Sequence, residues 1–176
     1  YEHSVFLPEQ QNWPDLRDIA RAHSQKSEHA TMVAWCHGAP GIGLSRLGSL
    51  RYLDDATIRE EITIAVKTTL EQGFGTNHSL CHGDMGNLDV VLKASIVLND
   101  QRYQEEATRL TAMLLESIEC QGWCTGVPMG IETPGLMTGI AGIGYELLRL
   151  VDHTRVPSVL LLEPPHFHPY SSANEQ

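Results

Sequence analysis

The sequence predicts an all-α fold built of repeated helical hairpins, and three observations carry that expectation. A glycine cluster recurs: Gly38-Ala-Pro-Gly41-Ile-Gly43 matches Gly139-Ile-Ala-Gly142-Ile-Gly144 glycine for glycine, and Gly83-Asp-Met-Gly86 keeps the first two of the three. After each cluster comes a stretch that is apolar on most faces, such as Leu88 to Leu98 or Tyr145 to Leu150, the pattern of a buried inner helix. Between the clusters lie amphipathic segments with helical spacing, the pattern of an outer helix. Such hairpins stack side by side, and a closed ring of them is an α/α toroid with its glycine-rich helix starts at one end of the axis. Three repeats fall short of closing one.

Taken in order, the segment from Tyr1 to Ala30 holds a helix expected from Asp15 to about Glu28, with Pro14 near its first turn. The first glycine lip, 36–43, opens the first inner helix. Ile58, Ile62, Ala65, Val66 and Leu70 define the outer helix that follows, flanked by Arg59, Glu60, Glu61 and Lys67. Gly73 to His78 return the chain to the second lip, 81–87, and to the second inner helix. Tyr103, Ala107, Leu110, Leu114 and Ile118 mark the next outer helix, and Gly122 to Pro134 lead to the third lip, 135–144. Met137 and Tyr145 are expected to line the inner helices, and Trp13, Trp35 and Trp123 to pack, with Trp35 walling the site beside Cys36. From 156 to 176 the chain is a Pro-rich arm, with Pro157, Pro164, Pro165 and Pro169, in which Ser158 to Glu163 reads as a short strand or an extended packing arm.

Composition narrows the class. A hydrophobic content of 41% with 19% charged residues reads as soluble and globular, and no apolar run approaches the roughly 20 residues of a membrane span. The net charge of −10, without any Lys or Arg cluster, argues against nucleic acid or an anionic membrane surface as partner. Four cysteines are too few for a disulfide-stapled fold, which favours a reducing cytoplasm. The chain opens on Tyr1 rather than Met and is treated as one partial domain, 1–176, of something longer.

Two copies of Cys-His-Gly stand 45 residues apart, Cys36-His37-Gly38 and Cys81-His82-Gly83. Thiolate and imidazole are ligands that zinc prefers, and two Cys with one His leave a tetrahedral ion one open position. Adjacent side chains on a helix diverge by about 100°, so Cys81 and His82 can reach one ion only from a turn or a helix start. The irregular Gly75-Thr-Asn-His-Ser79 stretch supplies one, and Cys36 would come from the matching lip. Two buried thiols beside a capping histidine would give the same sequence. The GxxGxG pattern is not a nucleotide loop, because no strand precedes it and no Lys-Ser or Lys-Thr follows. Cys120 and Cys124 read as ordinary thiols across a turn at Gly122-Trp123, or else, if on one helix, as a second metal half-site or a redox pair. His166 and His168 read as solvated residues of the Pro-rich arm.

Trp35 to Gly43, His78-Ser-Leu-Cys81-His82-Gly83-Asp84-Met85-Gly86-Asn87 and Gly135 to Tyr145 resemble the cyclase domain of lanthionine synthetases, the LanC-like family. Asn12-Trp13-Pro14-Asp15-Leu16-Arg17 and Val156 to Pro165 are similar to the C-terminal part of the bifunctional class II (LanM-type) lanthipeptide enzymes. That resemblance implies an α/α toroid of which this chain holds the last repeats, and one zinc ion held by Cys36, Cys81 and His82. It implies a dehydrated precursor peptide as partner, alongside the rest of the synthetase with its dehydratase domain. The chemistry implied is addition of a peptide cysteine thiolate to dehydroalanine or dehydrobutyrine, closing a thioether ring.

Chemical logic agrees. A free thiol with a pKa near 8.5 is mostly the poor nucleophile at neutral pH, and zinc coordination deprotonates it. Addition leaves an enolate that needs a proton at Cα, hence a general acid. In the family that histidine, with its partner aspartate, belongs to earlier repeats without counterpart between Tyr1 and Trp35. His37 and His78 are the titratable groups at hand, for a direct role, for orienting a ligand or for capping a helix. The chain alone is therefore expected to bind metal weakly and not to close rings at an enzymatic rate. Two other readings stand beside this one: a toroidal glycoside hydrolase using Glu132 and Asp84 as its carboxylates, and a zinc- or peptide-binding module without activity. Asp84 is otherwise expected to fix a backbone or a ligand.

Overall fold

Five α-helices form where the apolar spacing places them. The computed structural model describes residues 1–17 and 30–164, and in them the helices are α1 (Ala39–Ser49), α2 (Ala56–Gln72), α3 (Asp84–Leu98), α4 (Gln101–Gln121) and α5 (Ile140–Val151). Short 3-10 turns at Glu2–Val5, Pro128–Gly130 and Val159–Leu161 complete the list, and the described residues contain isolated β-bridges but no sheet.

Inner and outer helices start differently. The outer pair is capped by side chains: Asp55 accepts the Ile58 N–H at 2.9 Å to begin α2, and Asp100 accepts the Arg102 N–H at 2.9 Å to begin α4. The inner helices start on Gly38, Gly83 and Gly139, which have no side chain to cap them. Left-handed Asn99 turns α3 into α4, and Gly122, at φ 76°, ends α4.

Helix α3 is the axis of the packing. It contacts α1, α2, α4 and α5, and its run from Asp84 to Leu92 is buried on every face. Leu44 and Leu47 of α1, Ile62 and Val66 of α2, Leu88 and Val91 of α3, Leu110 and Leu114 of α4 and Ile143 of α5 join in one core. Each such side chain contributes roughly 1.5–3 kcal/mol by leaving water. Two hairpins, α1/α2 and α3/α4, thus stand side by side with α5 following as the next inner helix. The described residues form an arc of hairpins and not a closed ring.

The amino-terminal segment lies against the first hairpin. Trp13 is buried beside Phe6, ring centroids 4.8 Å apart, and its indole N–H donates to the Glu2 carbonyl. Asn12 does more: its Oδ1 accepts the Trp13 and Ala39 N–H groups at 2.9 and 2.8 Å, and its amide donates to the Met32 carbonyl. The first turn of α1 is therefore capped from a distant residue.

Four expectations change. Helix α5 is not apolar throughout its buried face: Glu146 and Arg149 are buried, whereas Leu148 and Val151 are exposed, because among the described residues no later helix covers that side. Within the segment from Ser158 to Glu163, Val159–Leu161 form a 3-10 turn, neither a strand nor an extended arm. Leu160 plugs the core there, while Glu163 folds back to accept the Ser158 N–H at 2.8 Å and pairs with Lys93. The helix expected from Asp15 to Glu28 falls mostly outside the described residues, and its described start is not helical, since the Asp15 N–H is bonded to the Ala30 carbonyl at 2.8 Å. Trp123 is exposed rather than packed, whereas Trp13 and Trp35 do pack. Pro165, His166, His168 and Pro169 lie outside the described residues.

Candidate metal centre

The three glycine lips meet edge to edge by one repeated bond. The Cys36 N–H donates to the Cys81 carbonyl at 3.2 Å, and the Cys81 N–H donates to the Met137 carbonyl at 2.8 Å. Cys36, Cys81 and Met137 hold the same place in their repeats, two residues before the first glycine. The glycine three residues after that first one explains the close fit: a Cβ at Gly41, Gly86 or Gly142 would overlap the carbonyl oxygen of Trp35, Leu80 or Leu136. Each lip folds back over the start of its own helix, and only glycine allows it.

This register brings Cys36, Cys81 and His82 together. One ligand atom from each lies within 4.8 Å of the other two, and all three residues are half-buried. Tetrahedral zinc with Zn–S bonds of about 2.3 Å would set its sulfurs roughly 3.8 Å apart, so the donors fit such an ion with small side-chain adjustments. The donor set points the same way. The Cys36 thiol is pushed up to about 11, first by burial, then by the neighbouring Cys81 charge and the hydrogen bond that Cys36 donates to it, against a smaller pull from Arg17. Two thiolates face to face at neutral pH therefore require a cation between them.

Around the triad the partners are mostly backbone. His82 Nε2 lies 2.8 Å from the Gly126 carbonyl, and the Asn77 amide reaches the His82 carbonyl at 3.4 Å. Asp84 accepts the N–H groups of Gly75 and Thr76 at 3.0 and 3.2 Å and the Thr76 hydroxyl at 3.2 Å, so it fixes the loop before the lip. The carboxylate-pair reading loses its first acid there. Glu132 sits exposed on the crossing from α4 to α5.

The two candidate histidines differ. His78 is buried and bonded at both nitrogens: Nδ1 accepts the Cys124 N–H at 3.1 Å and Nε2 donates to the Ser117 hydroxyl at 3.0 Å. Burial lowers its pKa against a smaller opposing effect of Asp84, which favours the neutral ring. That ring ties the second lip to Cys124, just past the Gly122 turn, and Cys120 is exposed at the end of α4. His37 is different: Nε2 stands 3.7 Å from Asp15 Oδ1, while Nδ1 is buried without a partner. Asp15 is itself buried and bonded by Arg17 at 2.6 to 3.1 Å, a contact that holds its carboxyl at about 2.

The family model of lanthionine synthetase C-like proteins matches residues 1–161. The chain belongs to that family. It is 29% identical over 170 residues to the lacticin 481/lactococcin biosynthesis protein LcnDR2 of Lactococcus lactis subsp. lactis, across 85% of this chain and 17% of that protein. It is also 29% identical over 135 residues to the glutathione S-transferase LANCL1 of Danio rerio, across 70% of this chain and 30% of that protein. The chain thus spans less than a third of the length of either relative. Among the described residues no helix is long and apolar enough to cross a membrane.

Spacing and repetition had nominated Cys36, Cys81 and His82, and the structure brings all three together. Asp15, Arg17 and Gly126 were not nominated. Asp15 stood as the start of an expected helix and, with Arg17, inside a resemblance, and Gly126 lay unnamed in the connection from Gly122 to Pro134.

Proposed function

We propose that this chain is the zinc-binding part of a lanthionine cyclase, working on a dehydrated precursor peptide as one section of a longer LanM-type synthetase. The observation that carries the reading is the Cys36, Cys81 and His82 cluster at the joint of two family lips. Zinc held by these three would leave one position for a peptide cysteine and would supply the Lewis acidity that lowers its thiol pKa. Similarity to LcnDR2 over most of the chain favours a peptide as the source of that thiol.

The chain's own residues account for part of the rest. Attack of the peptide sulfur on the β-carbon of dehydroalanine or dehydrobutyrine breaks the Cα–Cβ π bond, and the electron pair passes into an enolate that takes a proton at Cα. Of the two local histidines, His37 is placed to help, since it neighbours a ligand and faces the ionised Asp15, whereas His78 has neither nitrogen available. Asp15, anchored by Arg17, stands 3.7 Å from His37 Nε2 and orients the ring. The family resemblance implies a principal acid outside these residues, and with less than a third of either relative spanned the site is read as part of a larger one.

The test is a thiol count. Ring closure leaves peptide mass unchanged and consumes one thiol per ring, so capping the free thiols of a dehydrated precursor reports the reaction directly. With this chain and zinc the count should fall faster than in buffer, though far more slowly than with a full-length synthetase, and the gain should vanish in Cys81→Ala. A rate equal to that in buffer contradicts the proposal.

A further inference from the structure

We infer that the backbone carbonyl of Gly126 fixes His82 as its Nε2–H tautomer, making Nδ1 the metal-binding nitrogen, with Gly126 a positioning residue that has to lack a side chain. The inference rests on the metal reading above. A carbonyl oxygen only accepts hydrogen bonds, so the imidazole nitrogen 2.8 Å from it must carry the proton. A neutral ring has one proton, and its other nitrogen, Nδ1, keeps the lone pair that a metal needs. Sequence alone leaves the two nitrogens of His82 equivalent.

The carbonyl is held in place from both sides. Gly126 donates its own N–H to the Thr138 carbonyl at 2.8 Å, one residue beyond the Met137 carbonyl that receives the Cys81 N–H. Two residues earlier, Cys124 and His78 exchange a pair of bonds: the His78 N–H donates to the Cys124 carbonyl at 2.7 Å, and the Cys124 N–H donates to the His78 ring at 3.1 Å. Between them the Thr125 hydroxyl donates to the Ile131 carbonyl at 2.7 Å. The crossing from α4 to α5 is thereby laced along the second lip. Three successive repeats build the centre: the first gives Cys36, the second Cys81 and His82, and the approach to the third gives the carbonyl that aims the imidazole.

Space explains why residue 126 is glycine. A Cβ there would stand 2.5 Å from the Ser79 hydroxyl, 2.8 Å from His82 Nε2 and 3.0 Å from His82 Cε1. The serine hydroxyl is buried without a partner and can rotate away. The imidazole can yield only by leaving the carbonyl and changing its orientation toward Cys36 and Cys81.

Nitrogen NMR of the histidine-labelled, metal-free chain, at a pH where the ring is neutral, reads the tautomer directly. The result expected is a proton on Nε2 of His82; a proton on Nδ1 overturns the inference even if the protein binds zinc. Cobalt titration supplies the second arm, with Gly126→Ala and the double variant Ser79→Ala/Gly126→Ala both expected to bind about 10- to 100-fold more weakly than wild type, the range for lost outer partners of a metal ligand. Recovery of wild-type affinity in the double variant would place the clash on Ser79 alone and overturn the positioning role. Should Gly126→Ala fail to fold, the wild-type tautomer decides. Absence of any cobalt or zinc binding by the wild-type chain would instead sink the metal reading and this inference with it.

Discussion

Replacing Arg149 by methionine should unsettle the fold far more than replacing it together with its partner. Arg149 is almost fully buried on α5, donates from Nε to Asp89 of α3 at 2.7 Å and from a terminal nitrogen to the Val156 carbonyl at 2.8 Å. Asp89 uses its other oxygen to accept the Ser158 hydroxyl at 2.5 Å, so one buried pair joins two inner helices to the carboxy-terminal arm. Arg149→Met keeps most of the packing but leaves the Asp89 charge buried and unpaired, at a cost of about 3–5 kcal/mol. The stranded Val156 carbonyl adds roughly 1 kcal/mol. In Asp89→Asn/Arg149→Met the charge is gone and the amide oxygen can still accept from Ser158, so the loss should shrink to about 1–2 kcal/mol. The difference of about 3 kcal/mol corresponds to roughly 6–12 °C in melting temperature for a domain of this size. Urea and thermal unfolding followed by circular dichroism measure it. A double variant no more stable than Arg149→Met would refute the reasoning, because the penalty would then lie in lost attraction rather than in a stranded charge.

Two neighbouring glycines of α5 should respond in opposite directions. Gly142→Ala would drive a Cβ into the Leu136 carbonyl and should destabilise the third lip severely, whereas Gly144 has open space at its Cβ position and lies inside a helix, so Gly144→Ala should stabilise by about 0.5–1 kcal/mol. Equal effects on melting temperature would refute the lip geometry. Glu146 predicts a pH dependence. Burial first, and then the Asp89 charge, raise its carboxyl pKa well above the usual 4.5 against a smaller pull from Arg149, so the group is protonated in the folded chain. A raised folded pKa contributes stability that is complete below the unfolded value and is lost as pH rises through the folded one. Glu146→Gln should therefore gain on wild type steadily as pH climbs above about 4.5, and a pH-independent difference in unfolding free energy would count against it.

The helices were legible because their chemistry is periodic. Ile62, Ala65 and Val66, or Leu110 and Leu114, repeat at 3.6-residue spacing, and burial follows that spacing in the structure. The candidate metal site was legible for another reason: Cys36 and Cys81 share a register in a repeat, and a repeat brings equal positions side by side. What escaped was long-range or backbone in character. Nothing in the spacing of Glu146 and Arg149 tells that Asp89 waits opposite them, so α5 read as more apolar inside than it is. The turn at Val159–Leu161 depends on Glu163 folding back onto Ser158, a local bond that overrides the strand-like run of Val and Leu. Asp15 reaches His37 across 22 residues of sequence, and the Gly126 carbonyl reaches His82 across 44, distances at which no pattern speaks.

Zinc content per folded chain tests the central claim most directly. Equilibrated against a fixed concentration of free zinc, the wild-type chain should take up about one ion, Cys36→Ala, Cys81→Ala and His82→Ala should each lose that uptake, and Cys120→Ala should keep it, as expected for a centre with three protein ligands. Wild-type zinc content in all three ligand variants, or a wild-type chain that holds none, would contradict the account.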